Sequence, residues 1–273
     1  MIRSIVEDAQ NYLGEEIEEA VISVPAYFHD EQRVAVKRAG ALAGIHVERI
    51  VNEPSAAALA SYFTANEEQN MLVFDFGGGT LDVSLVDCFD TMVEIVSVAG
   101  NNRLGGDDFD RLIAEHFLRE HGVARQQLRA QEYAVLLKQA ERCKKLLSEQ
   151  EEVVMHAMVG DQVYESTYTM DRLFEESKAL LKEIRQVIGR ALKDGKMTIH
   201  DVDLVVMAGG SSKMPLIQKY IRHLFHKAPM VQGNCDELIA LGLGLVCGVK
   251  ERKEEIKDYI LTDICPFSLA LPR

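Results

Sequence analysis

The chain has 273 residues, 47% of them hydrophobic, enough to bury a substantial core in one large or two medium domains. A net charge of −13 excludes broad binding to nucleic acid or an anionic membrane, so any phosphate site must work through local backbone donors, a few lysines and a metal. Five cysteines without a Cys-x-x-Cys pair support neither a disulfide framework nor a zinc site, and with no apolar core in Met1–Gln10 and no apolar run of roughly 18 residues the expected compartment is the cytoplasm.

Ile2, Ile5, Val6, Ala9 and Leu13 have helical spacing, with Gly14 as a stop, and Ala20–Val24 reads as a short strand. Asp30 caps a helix to about Ala43, Val47–Val51 is strand-like, and Pro54 opens a small-residue helix over Ser55–Tyr62. Strands follow at Met71–Phe76, Leu81–Val86 and Val93–Val98, in the pattern of a meander. Helices are predicted from Asp107 or Asp108 to about His121 and over Gln131–Leu147, then an alternating segment Glu152–Tyr168 and one long helix Asp171–Lys193. Val202–Met207 returns to a buried strand, Pro215–Phe225 is helical, and a last helix covers Asp236–Lys253. Within that helix Gly242, Gly244 and Gly248 read as close-packing positions, since their spacing is not that of a dinucleotide fingerprint. This order suggests two related α/β lobes, the first without its opening strands.

Asp75-Phe76-Gly77-Gly78-Gly79-Thr80-Leu81-Asp82 ends one strand in an acid, turns through three glycines and opens a second strand with another acid. Bare glycine amides can approach an anion closely, and Asp75, Thr80 and Asp82 have the oxygen chemistry for a hydrated divalent cation. A tight turn would use the same glycines, but the paired acids favour a nucleotide phosphate. Ala208-Gly209-Gly210-Ser211-Ser212-Lys213-Met214-Pro215 is a second strand, glycine turn and helix start, suited to an anion, a flat ring or a ribose. Glu141, Lys144 and Ser148 share one helix face, a pattern that an ordinary solvated face also produces. Leu104-Gly105-Gly106-Asp107 places glycines before a capping acid. The eight histidines form no His-Glu-x-x-His and no serine-histidine-acid set, leaving zinc and nucleophilic chemistry without support.

Taken in order, Ala20–Phe28 with Asp30–Arg33, Asn52–Ala58, the phosphate hairpin, Leu104–Asp110 and Ala208–Lys213 closely resemble the nucleotide-binding domain of the seventy-kilodalton heat-shock chaperones of DnaK type. The tail Ile260–Leu269, with Thr262-Asp263-Ile264-Cys265-Pro266, looks most like the HscC branch. The resemblance implies an actin-like ATPase (ribonuclease H-like) α/β fold: a partial first lobe over 1–64 with helix 236–256, a second-lobe core over 65–104 and 179–235, an α+β insertion over 105–178, and an interdomain linker with the start of a substrate domain over 257–273. It implies ATP or ADP with Mg2+ as cofactors, K+ being a further candidate. Asp75, Thr80 and Asp82 would be catalytic, with Asp75 and Asp82 on the metal. Gly77, Gly78, Gly79, Thr80, Gly106, Glu141, Lys144, Ser148, Gly209, Gly210, Ser211, Ser212, Lys213 and Asp236 would hold the nucleotide, and Pro25, Arg33 and Glu53 would relay its state. Lys213 stands where the family commonly has arginine, which weakens stacking on the base.

The same resemblance implies a substrate-binding domain, a J-domain co-chaperone, a nucleotide-exchange factor and unfolded peptide clients as partners. It places the family's first phosphate hairpin and its phosphate-contacting lysine before Met1 and the substrate domain beyond Arg273, so that the chain alone is expected to bind nucleotide weakly and hydrolyse little. An actin-superfamily sugar or acetate kinase and a filament-forming actin relative are the alternatives.

Overall fold

The computed structural model describes residues 1–65, 68–160, 162–231, 235, 237–250 and 260–262. In chain order these form α1 (Ile2–Leu13), β1 (Glu19–Val24), α2 (Asp30–Ala43), β2 (His46–Asn52), α3 (Glu53–Ala65), β3 (Gln69–Phe76), β4 (Leu81–Phe89), β5 (Met92–Asn101), α4 (Gly106–Glu120), α5 (Ala130–Leu146), β6 (Glu152–Val159), β7 (Gln162–Thr169), α6 (Met170–Glu176), α7 (Lys178–Asp194), β8 (Leu204–Ala208), α8 (Pro215–Phe225), α9 (Leu238–Lys250) and β9 (Ile260–Thr262). The fold is actin-like, and every helix and strand expected over 1–225 is present within a few residues of its predicted bounds, apart from one split helix.

The centre is a five-stranded sheet in the order β8-β3-β4-β5-β9, with β3, β4 and β5 antiparallel and β8 and β9 added in parallel. Both its faces are buried, which is why Leu81–Val86 is apolar or enclosed at every position instead of alternating with water. Leu72, Phe74, Phe76, Leu81, Val83 and Leu85 join the core that includes Phe109 and Phe117 of α4 and Ile184 and Val187 of α7. Met71, Val73 and Val86 face the other way, into a core with Ala56–Leu59 of α3 and Leu238 and Val246 of α9. Asp75 and Asp82 share strand parity with this second set, so the strand period places both acids on the α3 side. A bulge opposite Leu85 and Val86 breaks the pairing of β5.

α3 and α9 pack closely because α3 is built from alanines and α9 offers Gly242, where a Cβ would lie 1.9 Å from the Ala56 carbonyl oxygen. β1 and β2 form a separate parallel pair, and β6 and β7 form an antiparallel hairpin beside α5.

Three expectations are corrected: α2 is capped by His29 with Asp30 its first residue, Gly244 has open space around it, and one predicted helix is two. The single helix expected over Asp171–Lys193 is two, α6 and α7, meeting at Ser177. Ser177 is wholly buried and its hydroxyl donates to the Phe174 carbonyl at 3.1 Å, so a local side-chain bond competes with the helical ladder where no Gly or Pro marks a break. A second finding concerns Ile260–Thr262, inside the segment read as a linker: it lies parallel to Met92–Glu94 as the edge strand of the central sheet.

Candidate nucleotide site

Asp75 and Asp82 are direct cross-strand partners at the ends of β3 and β4, and Gly77–Thr80 turn between them with the Gly77 N–H donating to the Thr80 carbonyl at 3.0 Å. The next glycine pair docks onto this turn. Gly106 N–H donates to the Gly77 carbonyl at 3.0 Å, and Asp107 N–H to the Gly78 carbonyl at 2.7 Å. A Cβ at Gly105 would sit 2.2 Å from the Gly78 carbonyl oxygen, so glycine is what lets the start of α4 reach the hairpin. Gly209 closes the other side. Its φ of +80° and a notional Cβ 2.7 Å from Asp75 Oδ1 leave no room for a side chain between β8 and the hairpin.

Beyond the hairpin lies a cavity of about 670 Å³ lined by Gly78, Asp107, Asp110, Glu141, Lys144, Lys145, Ser148, Glu149, Gly210, Ser211, Lys213 and Met214. That volume suits a nucleoside, within the range of small-ligand clefts. Three elements meet at Gly106, where a Cβ would lie 2.2 Å from Ser211 Oγ and 3.1 Å from Lys144 Nζ. Lys144 is buried, donates to the Gly106 carbonyl at 2.8 Å and pairs with Asp110 at 2.7 Å. Burial raises the Asp110 carboxyl above its ordinary range, and Lys144 pulls it partly back. Glu141, nearer solvent, pairs with Lys145 at 2.6 Å, and that bond lowers its carboxyl.

The acids on the α3 side are held away from water. Burial pushes Asp75 up to about 6, and burial with the charge of Asp75 does the same to Asp82. Glu53, the first residue of α3, rises to about 7 through burial and then the charges of Asp75 and Asp82. Asp82 Oδ1 is buried with no hydrogen-bond partner. Clustered carboxyls with an orphaned oxygen fit a cation, whose charge would return each to its ionised form. Among the described residues no three His, Cys, Asp or Glu side chains form a ready metal cage, and Asp75 and Asp82 are a facing pair of carboxylates.

Pro25 and Arg33, two of the three residues expected as a relay, are joined through Phe28. Pro25 O accepts from Phe28 N–H at 3.0 Å, and Arg33 donates from Nε to Phe28 O at 2.9 Å and from a terminal nitrogen to Asn52 Oδ1 at 2.6 Å. Arg33 thus ties the loop after β1 to buried Asn52, next in sequence to Glu53. From the same loop Tyr27 OH donates to Val98 O of β5 at 2.9 Å, joining the β1–α2 loop to the central sheet.

Compared with known proteins, the sequence matches the family described as "Hsp70 protein" over residues 1–272. The chain belongs to the Hsp70 family. It is 39% identical over 281 residues to chaperone protein dnaK3 of Thermosynechococcus vestitus, covering 99% of this chain and 41% of that protein. It is 39% identical to chaperone protein DnaK of Thermotoga neapolitana, covering 99% and 48%, and 37% identical to the stromal 70 kDa heat shock-related protein of Pisum sativum, covering 99% and 39%. The chain spans less than half the length of these Hsp70 relatives. The Hsp70 match favours neither the kinase nor the filament alternative.

Within this Hsp70 chain the structure brings Gly78, Glu141, Lys144, Ser148, Gly210, Ser211 and Lys213 to one cavity, with Gly106 beneath it. It sets Ser212 apart. That residue is wholly buried and its hydroxyl donates to the Ala208 carbonyl at 2.5 Å, so it shapes the turn and does not line the cavity. Asp236 lies outside the described residues. The sequence reading gave no site role to Asp107, Asp110, Lys145, Glu149 or Met214, which line the cavity, nor to Tyr27. For Asp110 there was a signal, since it stands one helical turn after Gly106 on the same face.

Proposed function

We infer that this chain is the ATP-binding domain of a DnaK-type chaperone, in which ATP hydrolysis gates the binding of peptide substrates and assists folding. The observation that carries the reading is the convergence of the glycine hairpin, the Glu141–Lys144–Ser148 face and the Gly210–Lys213 turn on one nucleoside-sized cavity. Gly77, Gly78, Gly79 and Thr80 cradle phosphates through backbone donors, and Gly209 leaves the room they need. Asp75, Thr80 and Asp82 orient the attacking water, so that the site acts by positioning and electrostatics with no covalent nucleophile. Asp75 and Asp82 would hold Mg2+, which supplies charge neutralisation on the phosphates when bound; K+ is a second candidate.

Pro25, Arg33 and Glu53 are the proposed coupling relay, through Asn52. We take 1–64 with 236–256 as the first-lobe part, 65–104 with 179–235 as the second-lobe core, 105–178 as the insertion and 257–273 as the linker region. A substrate-binding domain, a J-domain co-chaperone and a nucleotide-exchange factor are the proposed partners. The HscC-like branch rests on Thr262–Pro266, of which only Thr262 is among the described residues. Cytoplasmic residence belongs to the same reading, and no helix among the described residues is long and apolar enough to cross a membrane.

Calorimetric titration with Mg-ADP and Mg-ATP tests this reading. One saturable site is expected, abolished by Ser148→Phe, which fills the cavity from an exposed position. Absence of binding at about 1 mM nucleotide, a free energy near 4 kcal/mol, would sink it.

A further inference from the structure

A second cavity, of about 570 Å³, lies between α6, α7 and α8. Its floor is apolar: Leu181 and Leu216 are buried, Tyr220 lies beside them, and Phe174 stands at one end with 42% of its surface open to solvent. The Tyr220 hydroxyl donates to the Leu181 carbonyl at 3.0 Å, fixing α8 against α7. The rims are basic on both sides.

Lys178, Lys182 and Arg185 follow at i, i+4 and i+7 along α7, and Lys219 and His223 at i and i+4 along α8, so each row lies on one helix face. Among the described residues Asp171 is the one acid lining the groove, and Lys219 also borders a neighbouring cavity with Glu149, Glu151 and Glu152. Lys178 is engaged by Glu175 at 2.5 Å, but among the described residues Lys182, Arg185 and Lys219 have no ion-pair partner. In a chain of net charge −13, unneutralised cations gathered around an apolar floor mark a surface built for an acidic, partly apolar occupant.

We propose that this groove docks a short acidic amphipathic helix of a partner protein, its apolar side chains against Phe174, Leu181 and Tyr220 and its carboxylates against Lys182, Arg185 and Lys219. The α7 row runs about 10 Å, or two turns of such a helix, at 1.5 Å per residue. A single small carboxylate would answer only one of these cations, whereas a helix with acids on both flanks of an apolar stripe meets both rims. The cavity lined by Glu141, Lys144 and Ser148 is separate, so the docked helix leaves the nucleotide contacts in place.

A labelled helical peptide with Leu and Phe one turn apart and glutamates on both flanks is the probe, with a lysine-for-glutamate peptide of the same apolar pattern as control. Fluorescence anisotropy should show saturable binding of the acidic peptide alone, weakened about tenfold or more by Lys182→Glu with Arg185→Glu, by Phe174→Ala, and by raising salt from roughly 50 to 500 mM. These exposed positions lie outside the nucleotide site, so unchanged circular dichroism and unchanged Mg-ADP titration establish that the variants are folded. Hydrogen exchange should slow in α7 and α8 on binding. The proposal is overturned if the acidic peptide does not bind at about 1 mM, if the lysine peptide binds equally, or if the charge and floor variants bind as the parent does. It is equally overturned if sedimentation shows a second copy of this chain in the groove.

Discussion

Asp75→Asn removes the acid most central to the cluster at nearly constant shape, and its effect on stability should run opposite to its effect on function. Asp75 titrates near 6 in the fold against about 3.8 for the unfolded group, a shift of roughly two units or about 3 kcal/mol at 1.36 kcal/mol per unit. Because the folded group holds its proton more tightly, the penalty is absent below the unfolded value, grows as pH rises between about 4 and 6, and is complete above. Asp82 and Glu53, both raised in part by Asp75, relax as well when its charge is removed. Partial access of Asp75 to the cleft reduces the gain, leaving the cation-free variant about 2–3 kcal/mol more stable than the parent at pH 8 and no more stable at pH 4. Urea unfolding in EDTA from pH 4 to pH 8 reads the difference as a midpoint shift. Saturating Mg-ADP should shrink the gap, because the parent recovers the cation contact and the variant does not. If the variant gained nothing at pH 8, or gained equally at both pH values, the idea of a desolvated acid cluster awaiting a cation would be wrong.

Lys144→Met strands the Asp110 carboxylate in its buried pair and should cost about 3 kcal/mol at pH 8, the low end of the range for broken buried pairs because Asp110 can take up a proton. With the opposing charge gone its raised carboxyl rises further, so the loss grows with pH and shrinks toward pH 4; unfolding curves with the same pH slope as the parent would contradict it. Gly105→Ala forces a Cβ to 2.2 Å from the Gly78 carbonyl and should cost about 2–3 kcal/mol and weaken Mg-ADP binding. Gly189→Ala, within α7 and with open space around it, should instead stabilise by about 0.5–1 kcal/mol, and equal thermal shifts for the two would refute the packing argument.

Elements with strong periodicity and a chemical stop or start were legible in the sequence: α1 ending at Gly14 and α8 opening on Pro215. The break at Ser177 was not, because it depends on a buried hydroxyl that only the packed structure keeps from water. The glycine turns suggested a phosphate site, and the helical spacing of Glu141, Lys144 and Ser148 gave a common face, but convergence on one cavity is a tertiary fact. Ser212 shows the limit of motif reading. It stands in the glycine turn beside Ser211, yet one hydroxyl faces the cavity lining and its neighbour is spent on the backbone.

The short strand β9 matters for what stays soluble. β5 is a ten-residue strand, and a bare edge of that length is a template for pairing with other chains. Ile260–Thr262 cover it at Met92–Glu94, while further along Tyr27 and Arg190 occupy the carbonyls of Val98 and Gly100. Stripping β9 away, or losing the Tyr27 contact, would turn the outermost strand into an adhesive edge. The contacts of β9, Tyr27 and Arg190 along β5 therefore also guard the protein against aggregation.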